Sequence, residues 1–231
     1  MCTAEPVPDL ISGPTLGGLA PVEDRETAAL VDVLDLLARL HRPKDKLYGD
    51  AWRRRGEVLG IFANIARKAD RLSGAIGSEQ LNTVERVGDT AADLAVYAGK
   101  YLTWLAETQP NAFESVRPSL SAAECEARRG PEALERILAE VPIIKGKGGV
   151  KAPPDLAAAL EQTIGAFSEL EAVLMGQAEG RSSKTTSWSR KVRIAWRLTW
   201  ASTWLLLRLG QAYPQELATI RRDVESMQAT P

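Results

Sequence analysis

The sequence predicts an all-α protein built as a helical bundle, and three observations carry that prediction. Apolar residues recur at three- and four-residue spacing over long stretches. No run longer than about four residues alternates apolar and polar as a half-buried strand does. Glycine and proline gather where the helical spacing stops.

The first helix is predicted from Glu26 to Leu40, with Leu30, Val31, Leu34, Leu37 and Ala38 on one stripe and a stop before Pro43. A polar connection through Tyr48 and Gly49 reaches Asp50, read as the cap of a second helix carrying Val58, Leu59, Phe62, Ile65, Ala66 and Leu72. Gly74 and Gly77 break it. The third helix has the clearest pattern: Val84, Val87, Ala91, Leu94, Ala98, Tyr101 and Leu105 form a bundle seam that stops near Pro110. A short helix over Pro131 to Glu140 follows, then a glycine-rich run from Val141 to Lys151 that reads as a linker because it lacks the GxxxxGK[ST] spacing of a phosphate loop. Beyond Pro154 come a helix carrying Leu156 to Leu174, a tryptophan-rich helix from Ser187 to Ala212, and a short amphipathic helix after Pro214. The predicted organisation is a tail over residues 1–25, a helical domain over 26–110, a linker with one short helix over 111–155, and a C-terminal helical unit over 156–231.

Composition narrows the function. The chain has 231 residues, 45% hydrophobic and 26% charged, enough for one large domain or two small ones. Twenty-nine basic residues against thirty acidic ones leave a formal charge of -1, so no global field favours nucleic acid or a membrane surface, and nucleic acid is not an expected partner. Cys2 and Cys125 make neither a disulfide framework nor a zinc site, which fits a reducing cytoplasm. Residues Met1 to Leu19 have neither the basic start nor the apolar run of a secretory signal, and are expected to be disordered. The segment Ile194 to Leu209 contains Arg197, Thr199, Ser202, Thr203 and Arg208 and falls short of the roughly 20 apolar residues a membrane span needs.

The third helix carries Glu85, Asp89 and Asp93 at i, i+4 and i+8, on one surface. Like charges so placed repel by a few tenths of a kcal/mol per pair, about what an opposite-charge pair gains. They call for a counter-charge or a cation, and such oxygen-rich groups suit Mg²⁺ or Mn²⁺; a solvated acidic face near a helix N-terminus is the plainer alternative. Ala91, Ala92, Ala95, Ala98 and Gly99 let neighbours approach closely, which places Asp93 and Tyr97 at the edge of the core, where a carboxylate needs a partner. The preceding helix offers Glu57, Asn64, Lys68 and Arg71 on one side, the last two suited to phosphate oxygens. His41, the only histidine, is expected at a surface helix end, and without another there is no conventional Ser-His triad. Trp196, Trp200 and Trp204 recur every four residues among Arg190, Lys191, Arg193, Arg197 and Arg208; the spacing predicts a core or subunit interface with the basic residues at its rim.

Three blocks occur in a familiar order: Lys46-Leu47-Tyr48-Gly49-Asp50-Ala51-Trp52, Lys68-Ala69-Asp70-Arg71-Leu72, and Asp89-Thr90-Ala91-Ala92-Asp93-Leu94-Ala95-Val96-Tyr97. Over about residues 28 to 106 the chain resembles the nucleotide modification associated domain of phage and bacterial proteins, itself likened to the MazG-like all-α nucleoside triphosphate pyrophosphohydrolases. The resemblance implies a MazG-like N-terminal unit that holds a nucleotide with Mg²⁺. Asp89 and Asp93 would bind metal, Lys68 and Arg71 would lie by the phosphates, and Tyr48 with Trp52 would shape the base end. Asn64 and Tyr97 are counted on the substrate side, and Glu57 or Glu85 would assist or orient water. Gly88 and Val96 depart from the family's usual Glu and Asn. The expected function is a Mg-dependent pyrophosphohydrolase or a nucleotide-binding protein, as a homo-oligomer without membrane contact. The alternative is a non-catalytic adaptor or dimerisation protein that uses the tryptophan helix as its contact surface.

Overall fold

The computed structural model describes residues 22–76, 87–117, 130–141, 151–178 and 184–229. Within them the chain is all-α, with no strand. Helices run over Val22–Tyr48 (α1), Ala63–Ile76 (α2), Val87–Thr108 (α3), Pro110–Val116 (α4), Pro131–Glu140 (α5), Leu156–Ala178 (α6), Lys184–Ala212 (α7) and Pro214–Ala229 (α8). A 3₁₀ turn over Gly49–Trp52 and a π-helical turn over Glu57–Phe62 join α1 to α2.

The long helix α7 is the axis of the bundle. Every residue from Ile194 to Leu209 except Arg197 is buried, and a helix apolar almost all round must be surrounded by others. It packs most extensively on α6 and α3, and also meets α4, α8 and α1. Its hydroxyls are satisfied within the helix: Thr199, Ser202 and Thr203 donate to the carbonyls of Ala195, Leu198 and Thr199 at 2.6 to 2.8 Å. The near-hydrophobic stretch is thus a core helix, and no helix of the described residues is long and apolar enough to cross a membrane. Trp196, Trp200 and Trp204 are 4%, 2% and 2% exposed, so the indoles fill this chain's own core and offer no contact surface. One hydrophobic cluster draws on residues from α1 through α8. On α3 the alanines at 91, 92, 95 and 98 are fully buried, which lets α3 lie close to its neighbours.

Several expectations are corrected. The first helix continues through Pro43 to Tyr48. A proline inside a helix costs about 3 kcal/mol, but the turn beyond it is held by tertiary pairs, Lys44 to Asp93 and Asp45 to Lys100, that local propensity does not register. His41 is therefore mid-helix and 2% exposed, not at a surface end. Asp50 caps no helix; its side chain pairs with Arg53 in the 3₁₀ turn, and helical structure resumes at Glu57. Lys191 and Arg208 leave the expected rim: Lys191 is fully buried against Glu57, and Arg208 donates to the Pro153 carbonyl at 2.8 Å and to Glu26 at 2.7 Å. Arg190, Arg193 and Arg197 do lie outside, and Arg190 and Arg197 pair with Glu169 of α6. The expected N-terminal tail through residue 21, Glu85, both cysteines and residues 142–150 of the linker lie outside the described residues.

Glu57 joins the front of the chain to α7. Lys191 donates to both its oxygens, at 2.9 and 2.8 Å, and the Tyr101 hydroxyl donates to Oε1 at 2.5 Å. Burial pulls the Lys191 ammonium down and Glu57 offsets part of that; burial, then Glu57, pushes the Tyr101 phenol far up. Removing one partner strands the other's charge or donors in the core. Glu57→Ala is expected to cost about 3 to 5 kcal/mol in urea unfolding, and pairing Glu57→Gln with Lys191→Met is expected to recover most of it; equal losses in both variants would contradict the account.

Candidate functional site

Three helical faces and one turn enclose a cleft of about 420 Å³. Helix α1 contributes His41, Lys44 and Tyr48, which lie at i, i+3 and i+7 and so share a face. From α2 come Asn64, Arg67 and Lys68, and from α3 come Asp93, Val96, Tyr97 and Lys100, again at three- and four-residue steps. Trp52 closes one end from the 3₁₀ turn. The continuation of α1 past Pro43 is what carries Lys44 and Tyr48 to this place.

Among the described residues Asp93 is the one lining carboxylate, and both its oxygens are hydrogen-bonded. Lys44 Nζ donates to Oδ1 at 2.9 Å and Lys68 Nζ to Oδ2 at 2.7 Å. Burial alone raises such a carboxyl, but the two ammonium groups outweigh it and hold Asp93 below the ordinary carboxylate range. Lys100 is 9% exposed, with Nζ 3.3 Å from Asp45 and 5.0 Å from the centre of the Trp52 ring. Its burial lowers its affinity for a proton more than Asp45 restores it. The Tyr97 phenol is raised by burial and then by Asp93. His41 lines the cleft as neutral imidazole, its pKa lowered to about 3 by burial and by Lys100. Its buried Nε2 lies 3.4 Å from Asp45 but makes no hydrogen bond to it, and a neutral imidazole forms no ion pair there.

Of the residues singled out from sequence, the fold gathers Tyr48, Trp52, Asn64, Lys68, Asp93 and Tyr97 around this cleft. Glu57 is not among them, since it faces Lys191 and Tyr101. Arg71 is exposed, Asp89 is half-buried, and neither lines the cleft, although each has an interaction partner. Lys44, Arg67, Lys100 and His41 were missed. Lys100 was within reach, because Asp93, Tyr97 and Lys100 make one helical stripe; Lys44 was hidden by the predicted stop at Pro43.

Position 88 explains one departure from the resembled pattern. A Cβ at Gly88 would lie 3.1 Å from Glu216 Oε2 and 3.2 Å from Ile220 Cδ1, while Glu216 accepts the Gly88 amide at 3.1 Å. Helix α8 occupies the space that a larger side chain would need. Both oxygens of Asp93 are bonded to lysines and Glu57 is held by Lys191, and among the described residues no group of three or more His, Cys, Asp or Glu side chains is placed to hold a metal ion. No protein family, curated protein or solved structure matches this chain.

The neutral, buried His41 sets a pH dependence. The unfolded chain takes up a proton near the ordinary value of 6.5, whereas the folded one does so only near 3, so stability falls as pH drops through that window. Denaturant unfolding is expected to show a loss of up to about 1.4 kcal/mol per pH unit below that value, and His41→Leu is expected to flatten the decline between pH values of about 6.5 and 5. Identical slopes in the two proteins would contradict a neutral histidine.

Proposed function

We propose that this chain is a nucleotide-binding protein whose α1–α2–α3 cleft grips a phosphorylated nucleoside through its phosphate, without a divalent cation bridging the two. The observation behind it is the makeup of the cleft wall: Lys44 and Lys68 bond the carboxylate of Asp93, Arg67 and Lys100 add two more cations to the same wall, and among the described residues lining it Asp93 is the one acid, with Tyr48, Trp52 and Tyr97 alongside. A phosphate carries a charge of about −1.5 to −2 near neutral pH and accepts several hydrogen bonds at once. It can share the two lysines that Asp93 holds in position, and Arg67 supplies a planar pair of donors. An aromatic side chain stacked on a base contributes about 1 to 3 kcal/mol, and Tyr48, 64% exposed at the rim, has its ring available for that contact. The likeness of the three sequence blocks to the nucleotide modification associated domain points the same way.

The proposed activity is binding alone. Hydrolysis at a metal would need carboxylates converging on one ion, and Asp93 and Glu57 are each tied to separate lysines. Asp93 acts instead as the spacer that keeps two ammonium groups apart and aimed at the same volume.

Calorimetry with nucleoside mono- and triphosphates, in EDTA and in Mg²⁺, tests this. Affinity is expected to be no weaker in EDTA, and Lys68→Met to lower it about tenfold or more, the loss of one charge-assisted hydrogen bond of about 1.5 to 3 kcal/mol. Asp93→Asn, which removes the competing charge and keeps one acceptor oxygen between the lysines, is expected to leave binding intact or tighter. Binding that requires Mg²⁺ and disappears in Asp93→Asn would overturn the proposal, as would no binding of any nucleotide.

A further inference from the structure

The cleft has a neighbour. A second concavity of about 560 Å³ is lined by Arg54, Arg55, Leu59 and Ala63, and it shares Ala51, Trp52, Asn64 and Arg67 with the first. Trp52 therefore stands between a lysine side, with Lys44, Lys68 and Lys100, and an arginine side. The arginine side is built on a fixed turn. Arg53 N–H donates to the Asp50 carbonyl at 3.1 Å and Gly56 N–H to the Arg53 carbonyl at 2.9 Å, and Gly56 closes the turn at φ +77°. The π turn then packs against it so closely that a Cβ on Gly60 would sit 3.0 Å from the Trp52 carbonyl oxygen.

Within this turn the three consecutive arginines are used differently. Arg53 is spent on structure, paired with Asp50 and Glu107. Arg54 and Arg55 are exposed and, among the described residues, have no hydrogen-bond or ion-pair partner. Both guanidinium groups line the second concavity without a protein counter-charge, so an anion entering it meets two cations able to donate planar pairs of hydrogen bonds. Asn64 is fixed at the junction, donating to the Gly60 carbonyl at 2.8 Å and accepting from Arg67 at 3.0 Å, so Arg67 is positioned where the two concavities meet.

We infer that the site takes a nucleoside phosphorylated on both sides of its sugar, one phosphate among Lys44, Lys68 and Lys100 and the second at Arg54 and Arg55, with the nucleoside against Trp52. This rests on the reading of the first cleft as a nucleotide site and extends it. The same chemistry occurs in a free nucleoside 3′,5′-bisphosphate and at the 5′-phosphorylated end of a strand, where the next phosphodiester is the second anion. Both carry two phosphates separated by one sugar, which a triphosphate chain does not.

Four probes separate the possibilities by calorimetry on the full chain: a nucleoside 5′-monophosphate, the 5′-triphosphate, the 3′,5′-bisphosphate and a 5′-phosphorylated trinucleotide. The bisphosphate is expected to bind about tenfold or more tightly than the monophosphate, as one added charge-assisted contact implies. The double variant Arg54→Gln/Arg55→Gln is expected to bring the bisphosphate down to the monophosphate's level at unchanged melting temperature, both side chains being exposed. A trinucleotide as tight as the bisphosphate assigns the site to strand ends, and a weaker one assigns it to the free nucleotide. A bisphosphate no tighter than the monophosphate, a gain that survives in the double variant, or an equal Arg54- and Arg55-dependent gain for the triphosphate would overturn the inference while leaving the nucleotide cleft standing. Failure of the monophosphate itself to bind would overturn both.

Discussion

Asp93 lies between two ammonium groups that come from different helices, Lys44 from α1 and Lys68 from α2, and it is itself on α3. That contact ties together the three elements that form the cleft. Charges about 4 Å apart interact by roughly 4 kcal/mol where the effective dielectric is near 20, and a carboxylate bridging two lysines gains on both sides while losing the water that burial removes. The arrangement does more than bind helices. It concentrates positive charge at one place and leaves each ammonium with donors to spare, since a lysine has three and Asp93 uses one of each.

A second ionic contact supports the first from behind. Glu57 opens the π turn, and its carboxylate is held by Lys191 on α7 and Tyr101 on α3. The π turn in turn presses Gly60 against the carbonyl of Trp52, which fixes the turn carrying the three arginines. π turns insert one residue into a helix and often mark sites where geometry has been adjusted for use. Here the π turn leads into α2 beside the Trp52 turn, and the Asn64 side-chain amide donates to the Gly60 carbonyl. Buried charge pairs are poor contributors to net stability but costly to break. Two such contacts, Asp93 with its lysines and Glu57 with Lys191, set the shape of one surface.

Much of the fold was legible because helical periodicity is local. The seam on α3, the helix over Pro131–Glu140 and the tryptophan helix follow from residue spacing alone, and the all-α class from the absence of alternation. The boundaries at Pro43 and Asp50 were not legible, because what carries α1 past a proline is pairing with residues 49 and 55 positions away. The site was read in part for the same reason. Lys68, Asp93, Tyr97, Asn64, Tyr48 and Trp52 were picked for their chemistry and do converge, yet spacing alone does not show that Lys44 and Lys68 each bond an oxygen of Asp93. Glu57 looked like a second acid for the site on helical spacing counted as α-helix throughout; the π turn rotates that register and turns it toward α7. Gly88 looked like a lost carboxylate, and the reason, the close passage of α8, lies more than a hundred residues downstream.

Carboxyl ¹³C titration by NMR, with the Asp93 signal assigned by its disappearance in Asp93→Asn, distinguishes a lysine-bound counter-ion from a metal ligand at this position. For a lysine-bound counter-ion the midpoint is expected below the ordinary carboxylate range in metal-free buffer, unmoved by millimolar Mg²⁺ and raised when Lys44 and Lys68 are replaced by methionine. A midpoint at or above the ordinary range that Mg²⁺ pulls down would contradict it.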